Sequence, residues 1–352
     1  MRRSESAATI AQLLNILLLQ LKRVGDLILT MPTVAALREN FPDARITLLV
    51  SSECADLFPA MPNVDRILIT RRNLRDIAVF LILVRERFDY CIDFTRNDRS
   101  AFLAFLSGAR RRVVSYRVRE QSKTRARIYN QFVDNRMRDM HTVDYNLALA
   151  EPLGVRNASR AVHLELPELA REKANKLRRD LKIGSHFIIF HPGSARVEKF
   201  WDPARWAQVI NHTGQNTDVD LVLTSGASRI EQVHIVEIKA KTRQRIVDLS
   251  GRTDLLTLAA LIAQARLLVT VDSAPMHLAA ATQTPQVVLF GPTNPFHWRP
   301  RESPALILQG KSAIPLTEFK AVQPRFPMSQ ISTEAVIGAM NSLLLSAATQ
   351  IS

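Results

Sequence analysis

Short apolar runs alternate with longer segments whose apolar residues recur every three or four positions, and the alternation continues along almost the whole chain. The runs at 15–21, 45–50, 64–69 and 90–94, with a shorter one at 113–114, read as strands buried on both faces. Helical periodicity fills 27–40, 74–87 and 100–106 between them. A further helical pattern over 141–153 stops at Gly154, the residue type that most readily takes a left-handed cap. Polarity then rises, and 165–182, with Pro167 near its start, is a highly charged helical segment. A second series repeats the scheme, with strands at 186–190, 219–224, 245–249, 265–270 and 286–290 and helices from Pro203, over 228–241 and over 255–265. The Pro- and Arg-rich stretch 292–327 reads as irregular, and 332–345 as a final amphipathic helix.

Two successive βα series imply an α/β protein with two doubly wound, Rossmann-like sheets. The 352 residues agree, being more than one core usually organises. The expected divisions are a loose N-terminal extension over 1–13, an N-terminal domain over 14–165, a linking helix over 166–185, a C-terminal domain over 186–331 and a closing helix over 332–352. In such folds ligands bind outside the carboxyl ends of the strands, and two sets of βα loops can face each other across a cleft.

Charge narrows the partner. The chain has 47 Lys and Arg against 33 Asp and Glu, a net charge of +14, which suits an anionic partner. Nucleic acid is disfavoured, because aromatics make up only 6% and no basic segment is interleaved with them for stacking. No apolar run is long enough to span a membrane. The run 13–21 is followed directly by Lys22-Arg23 with no small-residue cleavage site, so it reads as a first strand rather than a signal peptide. Cys54 and Cys91 lie in apolar settings without metal-ligand spacing, as buried thiols of a reducing cytoplasm would, and the histidines form no His–Glu cluster.

Four strand ends carry the candidate chemistry. In Lys22-Arg23-Val24-Gly25-Asp26, Gly25 allows close backbone approach, and Asp26 fits either a helix-capping carboxylate or a general base facing the cleft. In His191-Pro192-Gly193-Ser194, with Lys199 and Trp201 beyond, the Gly-Ser turn offers N–H groups and Lys199 a mobile cation for phosphate, while Trp201 and Trp206 read as core. Thr224-Ser225-Gly226-Ala227-Ser228 is a third small-residue turn. The fourth, Asp272-Ser273-Ala274-Pro275-Met276-His277, brings a carboxylate, a hydroxyl and an imidazole from a strand into a helix start. A ribose and a diphosphate can be held together in that way, or Asp272 can cap the helix and His277 lie buried. The cluster Arg110-Arg111-Arg112, Arg117, Arg119, Lys123, Arg125 and Arg127 reads as a solvated basic loop or as a contact for an anionic acceptor or phospholipid.

Taken in order, these pieces resemble glycosyltransferase family 9, the ADP-heptose:lipopolysaccharide heptosyltransferases. The matching stretches are 19–32, His191-Pro192-Gly193-Ser194 with Lys199 and Trp201, Leu249-Ser250-Gly251-Arg252, 272–281, and Phe290-Gly291-Pro292-Thr293. The resemblance spans roughly 15–345 and rests on the order of the motifs more than on any one of them. It implies a GT-B fold with the nucleotide sugar mostly on the C-terminal half, and inverting transfer with no metal and no cofactor beyond the ADP-heptose donor. By resemblance Asp26 matches the general base, Ser194 and Lys199 the phosphate contacts, and Asp272, Ser273 and His277 the nucleotide and diphosphate contacts. Arg99, in Asp98-Arg99-Ser100-Ala101, matches a basic acceptor-side position, and Arg119 of the basic cluster joins it. Ala274 stands where the family usually has Gly, so its methyl group narrows backbone approach to a phosphate. The implied acceptor is an anionic, lipid A-linked saccharide of the lipopolysaccharide inner core. The implied location is the cytoplasmic face of the inner membrane, with the basic cluster as the attachment. A GT-B nucleotide-sugar epimerase, or a binding protein without catalysis, would share much of this pattern.

Overall fold

The computed structural model describes residues 13–349; the extension expected over 1–13 lies outside them apart from Leu13. The first half runs β1 (Asn15–Gln20), α1 (Val24–Ile28), α2 (Met31–Asn40), β2 (Arg45–Ser51), β3 (Arg66–Thr70), α3 (Asp76–Arg85), β4 (Tyr90–Asp93) and α4 (Asp98–Leu106). It continues through β5 (Arg111–Ser115), α5 (Arg117–Gln121), α6 (Lys123–Ala126), β6 (Gln131–Val133) and α7 (Thr142–Ala148), and α8 (Glu168–Asp180) leads into the second half. There follow β7 (Phe187–His191), α9 (Pro203–Asn216), β8 (Asp220–Leu223), α10 (Arg229–Lys241), β9 (Val247–Asp248) and α11 (Leu255–Gln264). The chain closes through β10 (Leu267–Val271), α12 (Ala274–Ala281), β11 (Gln286–Phe290), α13 (Pro295–Trp298), β12 (Ala305–Gln309) and α14 (Thr333–Thr349).

Two six-stranded sheets result, ordered β3-β2-β1-β4-β5-β6 and β12-β11-β10-β7-β8-β9, and every pairing is parallel. Both have the same winding, and the GT-B expectation holds. The central strands β7, β10 and β11 are buried along their whole length, which is why their sequences are unbroken apolar runs. Each sheet reverses its strand order once, between β1 and β4 and between β7 and β10, and a crevice opens at each reversal. The loops after β1, β4, β7 and β10 are therefore the ones placed to hold a ligand.

Several sequence-based boundaries move. The helix expected over 27–40 is two helices, because the chain restarts at Met31 with Pro32 in the first turn. The basic stretch after β5 is ordered as α5 and α6, followed by a strand, β6, that was not anticipated. The stretch 292–327 is not wholly irregular: it holds α13 and the edge strand β12. Gly154 does take the left-handed conformation, at φ 91°, after a short 3-10 turn. Trp201 and Trp206 are fully buried and pack edge to face. Cys54 and Cys91 are free and buried.

Candidate active site

Asp26 lies in the first turn of α1, whose N-cap is Arg23, and its carboxylate accepts from the Arg23 backbone N–H. Its backbone carbonyl accepts from Thr30 Oγ1 at 2.8 Å, which fixes the bend between α1 and α2. Burial raises the Asp26 pKa above the ordinary carboxylate value, and the charges of Lys22, Arg23 and Arg96 pull it partly back. Lys22 Nζ stands 3.8 Å from Asp26 Oδ1, and burial in turn lowers the Lys22 pKa. A carboxylate short of solvent, its raised pKa only partly offset by three cations, is a stronger base than a free one.

Arg96 was not singled out in the sequence, and the structure puts it here. It follows β4 with φ 64°, a left-handed conformation that few non-glycine residues adopt. Its N–H donates to Asp93 Oδ1 at 3.1 Å, and its carbonyl accepts from Arg125 Nη1. Its guanidinium lies 5.0 Å over the Tyr145 ring, and Nε and Nη1 are buried with no hydrogen-bond partner among the described residues. Two unpaired buried N–H groups on a half-buried guanidinium are costly unless an anion completes them.

Across the cleft, Lys199 Nζ is 2.7 Å from Asp272 Oδ2 and donates to the Asp272 carbonyl at 3.0 Å. The Thr293 hydroxyl also donates to Asp272 Oδ2. Both side chains of the ion pair are nearly buried. Ser273 is the N-cap of α12 but makes no side-chain cap bond, and Pro275 brings no N–H, so the first turn stays open to a ligand. Ala274 is the first residue of that helix. His277, one turn further on, is buried with Nδ1 unpartnered, and burial pushes its imidazole down to about 4. It is therefore neutral at pH 7 and has a hydrogen bond rather than a charge to offer.

His191 ends β7 and is tied to Thr224 Oγ1 at 2.9 Å, so it aligns the second and third loops and does not project into the cleft. Ser194 is buried beside them and accepts from the Arg196 N–H at 3.3 Å. A second unanticipated residue is Glu231. This buried carboxylate accepts from Ser228 Oγ at 2.6 Å and from the Gly226 N–H at 3.2 Å. A Cβ at either Gly193 or Gly226 would collide with it, so both loops need glycine to close over this carboxylate. The signal was present as Ser228-x-x-Glu231, a capping-box spacing.

The two halves touch where the two switch points meet. A Cβ on Gly25 would stand 3.0 Å from His277 Cδ2 and 3.3 Å from Nε2. Elsewhere between the halves, His141 Nε2 lies 2.9 Å from the Arg299 carbonyl, Thr142 Oγ1 donates to the His297 carbonyl at 2.8 Å, and Arg301 pairs with Asp144. Gly25→Ala is thus expected to push α1 off α12. Stability should fall by about 1–3 kcal/mol despite the better helix propensity of Ala, and kcat/KM should drop about tenfold or more. Thermal melting and steady-state rates of the variant read both effects.

Lys22, Asp26, Lys199, Asp272 and His277 are thus gathered around one cleft, with Ser194 and Ser273 on its C-terminal wall. The structure does not bring Arg99 and Arg119 to Asp26. Arg99 is bound to Thr70 and to the buried Asp76, and Arg119 stacks 3.9 Å over the Phe132 ring. Three members of the basic cluster are also internal ties: Arg111 donates to the Tyr90 hydroxyl, Arg112 to the carbonyls of Ile128 and Ala109, and Arg125 to that of Arg96.

Two Rossmann-like sheets with their switch-point loops meeting across a cleft define a GT-B fold. Comparison with known proteins gives the family: the model of glycosyltransferase family 9 (heptosyltransferase) matches residues 78–324. The chain belongs to that family, and neither an epimerase nor a non-catalytic binder is needed to account for it. It is 27% identical over 330 residues to lipopolysaccharide heptosyltransferase 3 of Escherichia coli, covering 91% of this chain and 95% of that protein. A solved family 9 glycosyl transferase from Veillonella parvula superposes with a TM-score of 0.81 at 25% identity, covering 94% of this chain and 97% of the other. The E. coli ADP-heptose lps heptosyltransferase II has the same fold, with a TM-score of 0.77 at 22% identity over 95% of this chain and 99% of that one.

Proposed function

We propose that this enzyme transfers heptose from ADP-heptose to the inner core of a lipid-linked lipopolysaccharide acceptor, with inversion and without a metal, at the cytoplasmic face of the inner membrane. The names of its relatives support the sugar and the acceptor class. The observation that carries the chemistry is Asp26, a carboxylate of raised basicity held one residue from the point where α1 meets His277.

Asp26 takes the proton of the acceptor hydroxyl as that oxygen attacks the anomeric carbon. The bond from that carbon to the diphosphate oxygen breaks on the opposite face, and its electrons leave with ADP. Lys199, the His277 N–H and the first turn of α12 stabilise the charge that builds on the diphosphate. Once the donor binds, its phosphates compete with Asp272 for Lys199, and the freed carboxylate can accept from a sugar hydroxyl.

Incubation with ADP-heptose and a heptose-deficient core acceptor, read by mass spectrometry and by the anomeric coupling of the product, tests the reading. No transfer by the wild type, or equal transfer by Asp26→Ala, would reject it. Arg96 supports an anionic group next to the reacting hydroxyl. Arg96→Ala is expected to raise the acceptor KM about tenfold or more and to leave the donor KM within about twofold, since a charge-assisted hydrogen bond contributes on this order.

A further inference from the structure

α3 is apolar on almost every side, with the sequence Asp76-Ile77-Ala78-Val79-Phe80-Leu81-Ile82-Leu83-Val84-Arg85. A helix of that kind is normally enclosed by protein or lipid. One side of this one is covered, by Val79 and Leu83 against the sheet with Phe80 and Ile82 partly buried beside them. Leu74, Ile77, Leu81 and Val84 on α3 and its approach, with Phe102 and Phe105 on the adjoining α4, are between 47% and 83% exposed. The positions 74, 77, 81 and 84 repeat at helical spacing, and Phe80 meets Phe102 edge to face, so the two helices present a joint apolar strip. A soluble surface seldom carries so continuous a patch without a partner.

The rim identifies the partner. Arg71, Arg72 and Arg75 precede α3, Arg85 ends its last turn and Arg87 lies just beyond. All five are exposed, and none of their side chains makes an ion pair or hydrogen bond among the described residues. Three arginines before a helix N-terminus oppose its macrodipole, so they do not serve the helix. The acids nearby are already engaged: Asp76 with Arg99, Glu86 with Arg66 and Asp98 with Arg125. Asp76 also accepts from the Arg71 and Arg72 N–H groups, which holds the upper arginines in place. Packing α3 on a second copy about a two-fold axis would set arginines against arginines at both ends. An anionic surface with an apolar interior matches the strip and both rims at once. No helix among the described residues is long and apolar enough to cross a membrane, so the fit is a helix lying in the interface.

We infer that the apolar strip of α3 and α4, with its arginine rims, is the surface by which this enzyme docks onto an anionic lipid bilayer. The inference rests on the lipid-linked acceptor of the preceding section, and it moves the attachment from the basic cluster at 110–127 to an apolar strip that inserts. The upper rim begins at the carboxyl end of β3, the same sheet edge as the loops of the cleft, so docking there brings the cleft to the lipid surface.

The test is co-sedimentation of the full chain with phosphatidylglycerol–phosphatidylethanolamine vesicles and with phosphatidylcholine vesicles, neither containing acceptor. Wild type should partition to the anionic vesicles, and Leu81→Glu with Val84→Glu should lower that partition about a hundredfold. Leu81→Trp should bind and shift its emission to the blue on insertion. Melting temperature and transfer to a lipid-free core oligosaccharide, run in parallel, should be unchanged in all three proteins. Transfer absent throughout, with vesicle binding as expected, would overturn the activity and leave the surface standing. The surface is overturned by equal binding of the Leu81→Glu/Val84→Glu variant and wild type, by loss of binding only on Arg110→Glu/Arg111→Glu, or by a wild-type dimer that the Leu81→Glu/Val84→Glu substitution dissolves.

Discussion

Asp26→Asn is expected to lower kcat about a thousandfold, with donor affinity nearly unchanged and the melting temperature not lowered. The amide keeps the size of the carboxylate but cannot take a proton. Stability should not fall at neutral pH, because burial penalises the charged carboxylate more than Lys22, Arg23 and Arg96 favour it. The pH profile carries the same signature. Activity needs Asp26 deprotonated, so kcat/KM should fall as pH drops through its raised folded value, placing the acid limb above the ordinary carboxylate range. Arg96 lowers that value, so Arg96→Ala should move the limb to higher pH. The linkage runs the same way. Folded Asp26 keeps its proton to higher pH than the unfolded chain does, so the residue removes stability as pH rises from its unfolded to its folded value. Melting curves of Asp26→Asn across that window should lack this slope. A variant with wild-type kcat, or an acid limb that stays put in Asp26→Asn, would remove Asp26 from the chemistry.

The sequence carried the strands better than the helices, for a physical reason. A parallel strand covered on both faces must be apolar throughout, so 286–290 was read to the residue. The edge strand β12 lacks cover on one side and sits among Pro and Arg, and β6 is only three residues long; neither has that signature. The site was legible in part for the same kind of reason. Asp26, Lys199, Asp272 and His277 stand at strand ends, where a βα fold exposes functional groups. What sequence could not show is pairing: Lys199 with Asp272, Arg99 with Asp76, and Gly25 with His277 each join segments far apart in the chain. Arg96 carried no signal, because its left-handed backbone is one that sequence rules reserve for Gly or Asn.

Lys199→Met is expected to lower kcat/KM about a hundred- to a thousandfold, the loss that follows removal of one donor to a developing anion. It should also destabilise the fold by about 3 kcal/mol, because Asp272 would stay buried with the Thr293 hydroxyl as its remaining strong donor. The two effects have different origins, and a second substitution separates them. In Lys199→Met/Asp272→Asn the uncompensated charge is gone, so most of the melting temperature should return. Transfer should not, because the phosphate still lacks its cation and the sugar its acceptor. The pair is then a stored contact in the empty enzyme, and the donor exchanges Asp272 for phosphate at Lys199. Calorimetry gives an independent reading: ADP should bind the double variant far more weakly than wild type at equal stability. Recovery of transfer together with stability would instead make the ion pair a strut of the fold, and the diphosphate would have to be held by His277 and α12 alone.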